Sequence, residues 1–306
     1  MRALLRKRKP IVMGGFHDGV SARLAERAGF PITFMGGYAV AASLLGEPDI
    51  GLLTQAEMAD AARRLCRLVS MPVLVDADTG YGGVPNAVRT AELYAQAGAA
   101  GLFLEDQDWP KRCGHMGGKT VTDRADWLAK LRAVVALRPH TDLFVVARTD
   151  ARAPLGLEEA IRRGRAALEV GVDAVFVEAP QSVAELDAIA VGIPGPKVAN
   201  MVEWGKTPLL GPKELHQRGF DLIVYPVAAI LAQAHAVEDV YATLAHKGNT
   251  SGVLDQLYPF DKFNDLLQLE IHRNREKDSV SAAKSVRTPL RSVPKPRLRS
   301  TTRTKR

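Results

Sequence analysis

The chain has 306 residues, 46% of them hydrophobic and 25% charged, an ordinary globular composition whose length suits either two small domains or one large α/β barrel. Its net charge of +7 is concentrated at one end: residues 278–306 carry nine Lys and Arg against one Asp, leaving residues 1–277 one negative charge from neutral. Two cysteines in unlike settings, Cys66 and Cys113, exclude a disulfide framework and a C-x-x-C metal site, and no apolar run reaches the ~20 residues that span a bilayer. A cytoplasmic protein without a membrane partner is the expectation.

The opening "MRALLRKRKPIVMGGF" is basic and then apolar, but Gly14 and Gly15 interrupt the apolar part and no small-residue cleavage site follows. It reads as a short arm into a first strand rather than a signal peptide. From there, short apolar runs alternate with amphipathic stretches. The runs cover 10–16, 31–37, 72–78, 100–106, 142–150, 173–180, 196–203 and 221–227. Between them, segments such as "QAEMADAARRLCRLV", "NAVRTAELYAQAG" and "LEEAIRRGRAALEVG" repeat apolar residues at three- and four-residue spacing, as helices do.

Continuous apolar runs suit strands buried on both faces, as in a parallel sheet under helices. Gly29, Gly98, Gly171 and Gly219 stand where left-handed helix caps are expected. Eight strand–helix units predict an α/β fold, a (β/α)8 TIM barrel over residues 1–245. An open doubly wound sheet is the alternative, but no G-x-G-x-x-G follows an early strand. "AAILAQAHAVEDVYATLAHKG" reads as a long helix, and "TSGVLDQLYPFDKFNDLLQLEIHRNRE" continues as a C-terminal helical extension, 246–277. Its apolar side packs either within the subunit or on a neighbouring one. The tail, 278–306, is rich in Ser, Thr, Pro and basic residues and is expected to be disordered. A solubilising role is favoured over weak nucleic-acid contact, because no aromatic is present to stack a base.

Reactive groups gather at the C-terminal ends of barrel strands. Those ends hold Gly36, Gly37 and Tyr38; Asp76 and Asp78; Glu105, Asp106 and Gln107; Arg148, Thr149 and Asp150; Glu178; and Asn200 with Glu203. Asp76 and Asp78, two apart in an extended strand, should share a face, with Glu105 beside them. A hydrogen-bonded polar plug would account for such a rim. Three oxygen donors beside an arginine able to hold a carboxylate favour a hard cation such as Mg²⁺ instead. In "EDQDWPKRCGHMGGK" (105–119), Cys113 has Lys111, Arg112 and His115 as neighbours. Positive neighbours are expected to favour its thiolate and tune it for proton transfer, while Gly114, Gly117 and Gly118 would let the segment act as a lid. A nucleophilic cysteine and an idle surface cysteine are the alternatives.

At these residues the chain resembles the isocitrate lyase/phosphoenolpyruvate mutase superfamily. The resemblance rests on Lys111–His115 as K-[KR]-C-G-H, "VDADTGYG", Glu105–Gln107, "LLGEPDIGLLT", "VARTDA", "VEAP" and "NMVEWGKTPLLGPKEL", and covers residues 2–270. It implies a barrel with a helix swapped between subunits, a homotetramer built from dimers, and Mg²⁺ chemistry, with Mn²⁺ as a substitute, on 2-hydroxy or 2-oxo dicarboxylates. It further implies that Asp76 holds the metal directly, with Asp78 and Glu105 acting through bound waters and Asp49 nearby. Gly36 and Gly37 would offer amides to a substrate carboxylate. Tyr38, Gly114, Arg148, Glu178 and Asn200 would line the pocket. Lys111, Arg112, Cys113 and His115 would form the catalytic loop, with Cys113 as proton donor. Gly36 replaces a Ser or Thr found in many members, and Phe34 replaces the Tyr usual in 2-methylisocitrate lyases. The motifs lie closest to the petal-death-protein group, which cleaves 2-alkylmalates and oxaloacetate; a carboxyphosphonoenolpyruvate mutase shares the loop and is the alternative, followed by a catalytically silent barrel.

Overall fold

The computed structural model describes residues 1–285. Eight parallel strands close into a barrel in sequential order: β1 (Ile11–Phe16), β2 (Ile32–Met35), β3 (Val73–Asp76), β4 (Gly101–Glu105), β5 (Phe144–Thr149), β6 (Ala174–Val177), β7 (Lys197–Asn200) and β8 (Leu222–Tyr225). The expected (β/α)8 barrel is therefore the fold. Gly29, Gly98, Gly171 and Gly219 all take positive φ, as expected of left-handed caps. Asp18 and Thr54 start helices through capping boxes.

Alternation along the strands separates two cores. Val73 and Val75, Leu102 and Leu104, and Val145 and Ala147 face the surrounding helices in one cluster. Ile11, Met13, Ile32, Phe34, Leu74, Phe103, Phe144, Val146, Phe176, Val198 and Val224 fill the barrel interior in another. The N-terminal arm is a short helix, Arg2–Leu5. Its Met1, Leu4 and Leu5 pack against the interior cluster, and Arg2 bonds Asp173 at 2.7 Å. The arm thus closes the end of the barrel opposite the strand C-termini.

Several elements depart from the sequence reading. The stretch after β2 is a helix, Gly37–Leu45, begun by Gly36 with no side-chain cap. β3 ends at Asp76, and Asp78 has φ of 45°, so the two aspartates do not share an extended strand. Compact packing divides the chain after Leu257. The sequence boundary at 245 falls inside the helix Ala228–Lys247. In the second unit, helices Phe260–Leu266 and Leu269–Ser285 follow Pro259 and are separated near Gln268, which has φ of 61°. Residues 278–285, expected to be disordered, lie in the last of these helices; the remaining tail residues lie outside the described ones. Among the described residues no helix is long and apolar enough to cross a membrane.

Candidate active site

The inward alternation that builds the apolar interior continues into the site. Leu74 is followed two residues on by Asp76, Phe103 by Glu105, Val146 by Arg148, Phe176 by Glu178 and Val198 by Asn200. Strand pairing sets Glu105 beside Arg148, and Arg148 beside Phe176. A cavity of about 270 Å³ opens there. It is lined by Gly36, Tyr38, Asp49, Asp76, Arg148, Glu178 and Asn200 from the barrel and by Cys113, Gly114 and His115 from the loop. Its floor is aromatic: Phe34 meets Phe103 edge-on at 4.8 Å, and Phe103 meets Phe176 at 6.0 Å.

Arg148 is the hub of the charges. Its Nε lies 3.2 Å from Glu105 Oε2 and 2.9 Å from Asp150 Oδ2, and its Nη2 lies 3.1 Å from Glu178 Oε2. Burial pushes Glu178 up, but Arg148 and His115 outweigh it and hold the carboxyl at about 2. Burial pulls Lys111 down, yet Asp78, Asp49, Glu105 and Asp76 together hold it well above the usual lysine range. Its ammonium stands 2.5 Å from Asp49 and 2.6 Å from Asp78. Asp76 is pushed up to about 6 by burial and by Asp78, and burial raises Glu105 well above its ordinary value.

Among the described residues, Asp49, Asp76, Asp78, Glu105, Asp150 and Glu178 are buried against three cations, Lys111, Lys119 and Arg148. Buried charge is costly unless compensated. Asp78 Oδ2 and Glu105 Oε1 are buried without a hydrogen-bond partner. Excess negative charge and unpartnered hard oxygens fit a divalent cation of the Mg²⁺ type. Among the described residues no three His, Cys, Asp or Glu side chains form a ready-made cation cage, and the Lys111 ammonium stands among the acids.

The loop departs from the expectation for Cys113. Rather than favouring the thiolate, its surroundings push the thiol up to about 11, chiefly through burial. The positive neighbours are directed elsewhere. Lys111 is bound to Asp49 and Asp78. Arg112, expected in the site, is exposed and donates to the Gly117 carbonyl, while Gln107 clamps its backbone N–H and C=O. His115 Nδ1 accepts from the Lys206 amide at 2.9 Å, leaving Nε2 to face Glu178 Oε1 at 3.2 Å. Gly114 lies so close to Glu178 that a Cβ there would be 2.3 Å from its Cγ. The Gly37 amide donates to Asp76 Oδ2 at 3.2 Å rather than standing free for a substrate carboxylate.

Two neighbours in the sequence are separated by strand alternation. Asp106 points outward to Thr149 Oγ1, the Asp150 amide and Arg163, while Glu105 points the other way, to Arg148. Sequence reasoning missed Lys119, whose ammonium joins the Gly114 carbonyl and Asp150, and the aromatic floor beneath the acids.

A closed parallel barrel whose strand ends hold buried acids, an arginine and a loop thiol defines an enzyme site for small anions. The phosphoenolpyruvate phosphomutase family model matches residues 1–245, and the chain belongs to that family, within the isocitrate lyase/phosphoenolpyruvate mutase superfamily. It is 42% identical to 2,3-dimethylmalate lyase of Eubacterium barkeri, over 90% of this chain and 96% of that one. It is 45% identical to the petal death protein of Dianthus caryophyllus, over 88% and 85%. Among solved structures, oxaloacetate acetylhydrolase bound to 3,3-difluorooxalacetate superposes with TM-score 0.86 at 34% identity, over 91% and 95% of the two chains. A phosphonopyruvate hydrolase complexed with oxalate and Mg²⁺ gives TM-score 0.81 at 28% identity, over 90% and 96%.

Proposed function

We propose that this chain is a carbon–carbon lyase or hydrolase of small 2-hydroxy or 2-oxo dicarboxylates, with Cys113 as general acid. The observation that carries the reading is a half-buried thiol lining an acid-rich, partly aromatic cavity of about 270 Å³, just below the roughly 300–1,000 Å³ of drug-sized pockets; its surroundings push that thiol up to about 11. Asp76, Asp78 and Glu105 would hold Mg²⁺, or Mn²⁺ in its place, which when bound supplies electrostatic stabilisation for charge developing on the substrate oxygens.

The chain's own groups do the rest. Arg148 is fixed by three carboxylates and presents its guanidinium to the cavity as a fixed positive group. In the lyase reaction the substrate hydroxyl gives its proton to a carboxylate of the rim as the C–C bond breaks; one fragment becomes a 2-oxo acid and the bonding pair goes to the carbon of the other, which leaves as the enediolate of its carboxylate. Cys113 S–H protonates that carbon, and burial makes the resulting thiolate basic enough to regain its proton. The loop over Cys113 keeps water from the carbanion. Phe34, Phe103 and Phe176 offer an apolar surface to an alkyl substituent. The carboxyphosphonoenolpyruvate mutase alternative is less well supported: a phosphonyl group adds negative charge where buried acids already outnumber cations.

The family resemblance also implies a homotetramer with exchanged helices. Its support is the helix Ala228–Lys247, which has no buried residue and exposes Val237, Tyr241 and Leu244 at helical spacing beside a groove of about 990 Å³. A cytoplasmic location agrees with two free cysteines. The function is tested by NMR of 2-alkylmalates, 2-methylisocitrate and oxaloacetate incubated with protein and Mg²⁺, beside Cys113→Ser. Loss of one compound only with the intact thiol supports the reading. No consumption of any of them with metal bound overturns it.

A further inference from the structure

The loop that carries Cys113 rises from a fixed stem. Gln107 bridges Val121 in antiparallel fashion, the Asp108 amide donates to the Thr120 carbonyl, and the Thr122 amide donates to the Asp106 carbonyl. Lys119 is the last residue before that stem resumes. Its side chain is 1% exposed, against 0% for Asp150. The ammonium reaches back across the loop to donate to the Gly114 carbonyl at 2.5 Å and to Asp150 Oδ1 at 2.7 Å. Asp150 in turn receives Arg148 Nε at 2.9 Å and Nη2 at 3.3 Å. One carboxylate therefore joins the ammonium that touches the loop to the guanidinium that faces the cavity.

We propose that Lys119 is the positioning residue that latches the 111–118 loop over the site and, through the Asp150 carboxylate it shares with Arg148, ties the setting of that guanidinium to loop closure. A buried ammonium needs acceptors, and the Gly114 carbonyl is available to it only when the loop lies down. The loop's other tethers are separate: the Cys113 amide donates to the Asp49 carbonyl, and Lys111 is held by Asp49 and Asp78. His115 also reaches Arg148, through Glu178, from within the loop; Lys119 does so through Asp150 from the fixed stem, and it alone of the two holds a loop carbonyl as well. This goes beyond the proposed reaction, from which it takes only the role of the loop as a cover over Cys113.

The test is amide hydrogen exchange on the full chain without substrate, comparing wild type, K119M, G114A and the double variant. Methionine keeps the stem's bulk and removes the ammonium. Gly114→Ala keeps the loop from seating against Glu178. The latch predicts that K119M speeds exchange at Cys113 and Met116 roughly ten-fold or more, leaves Phe144–Thr149 protected, and adds little in the G114A background, since both substitutions open one closure. Additive effects, or faster exchange in β5 with an unchanged loop, would show that Lys119 merely supports the barrel and would overturn the proposal. If K119M does not fold, the wild-type and G114A proteins still decide by NMR of the Lys119 ammonium protons: slow exchange in wild type and fast exchange in G114A supports the latch, and equal protection refutes it. Because no turnover is read, failure of the proposed reaction leaves this result standing. Where turnover is found, K119M should lower kcat more than it raises KM.

Discussion

Alkylation of Cys113 by iodoacetamide across pH 7 to 12 reads its environment directly, because only the thiolate reacts. The cysteine sits in a loop rich in positive charge, yet Lys111 is consumed by two aspartates and Arg112 faces solvent. What remains is burial, which moves the thiol from its ordinary 9.0 to about 11. A thiol at about 11 rather than 9.0 carries roughly 100-fold less thiolate at any pH below 9 than a free cysteine would show. In a Cys66→Ala background, the alkylation rate should rise ten-fold per pH unit through pH 10 and level off only near 11. Cys66 is buried and pushed up to about 12, so its removal clears the assay without touching the site. A plateau at or below pH 9 would refute the argument that loop cations have been diverted from the sulfur. It would also weaken Cys113 as an acid, since a thiol that ionises near neutrality holds its proton poorly at working pH.

Gly114→Ala places a Cβ against a Glu178 fixed by Arg148 and His115, so kcat should fall roughly 100-fold with the melting midpoint within about 2 °C of wild type; stopped assays and calorimetry check both. Mg²⁺ at a hundred times its Kd should raise the unfolding free energy by about 2.7 kcal/mol, and chelation should reverse that; no shift with Mg²⁺ or Mn²⁺ would count against Asp76, Asp78 and Glu105 as its ligands. Deleting residues 1–5 removes the packing of Met1, Leu4 and Leu5 against the interior cluster and Arg2 from Asp173. It should cost about 3 kcal/mol, roughly 6–12 °C in midpoint, while kcat holds; an unchanged midpoint would show that the arm is not part of the core.

The eight strands were legible because buried strands read as unbroken apolar runs, and four of them, β2, β4, β6 and β8, are also set off by a Gly at the preceding helix end. The helix Gly37–Leu45 was not legible: "GYAVAASLL" has little polar periodicity, and its Gly36 cap offers no side-chain oxygen to mark a start. The extension read as continuous helix because its apolar pattern persists across the breaks near Pro259 and Gln268. Within the site, the acids could be placed on one rim but not sorted. Adjacent residues on a strand face opposite ways, which separates Glu105 from Asp106; applying that rule along "EDQ" would have divided them. Lys119 carried no such signal. Its partner Asp150 is 31 residues away, and only the folded loop brings them together.

The same alternation accounts for why the chemistry sits where it does. Each inward position low on a strand must be apolar to fill a closed barrel, and the next inward position, at the open mouth, is free to be polar. A site built in this way has a low-dielectric floor directly under its charges, where electrostatic interactions are stronger than in water. Phe176 lies under Arg148, whose guanidinium is 5.5 Å from the ring centroid, and Phe103 precedes Glu105 on the same face. On the outward side at the same level, Asp106 accepts from Thr149 Oγ1 and from Arg163 of a surrounding helix. That contact braces the ends of β4 and β5 from behind. The strand ends are thus braced from outside and charged toward the inside. An unbalanced cluster of carboxylates is tolerated there because the backbone carrying it has little freedom to move apart.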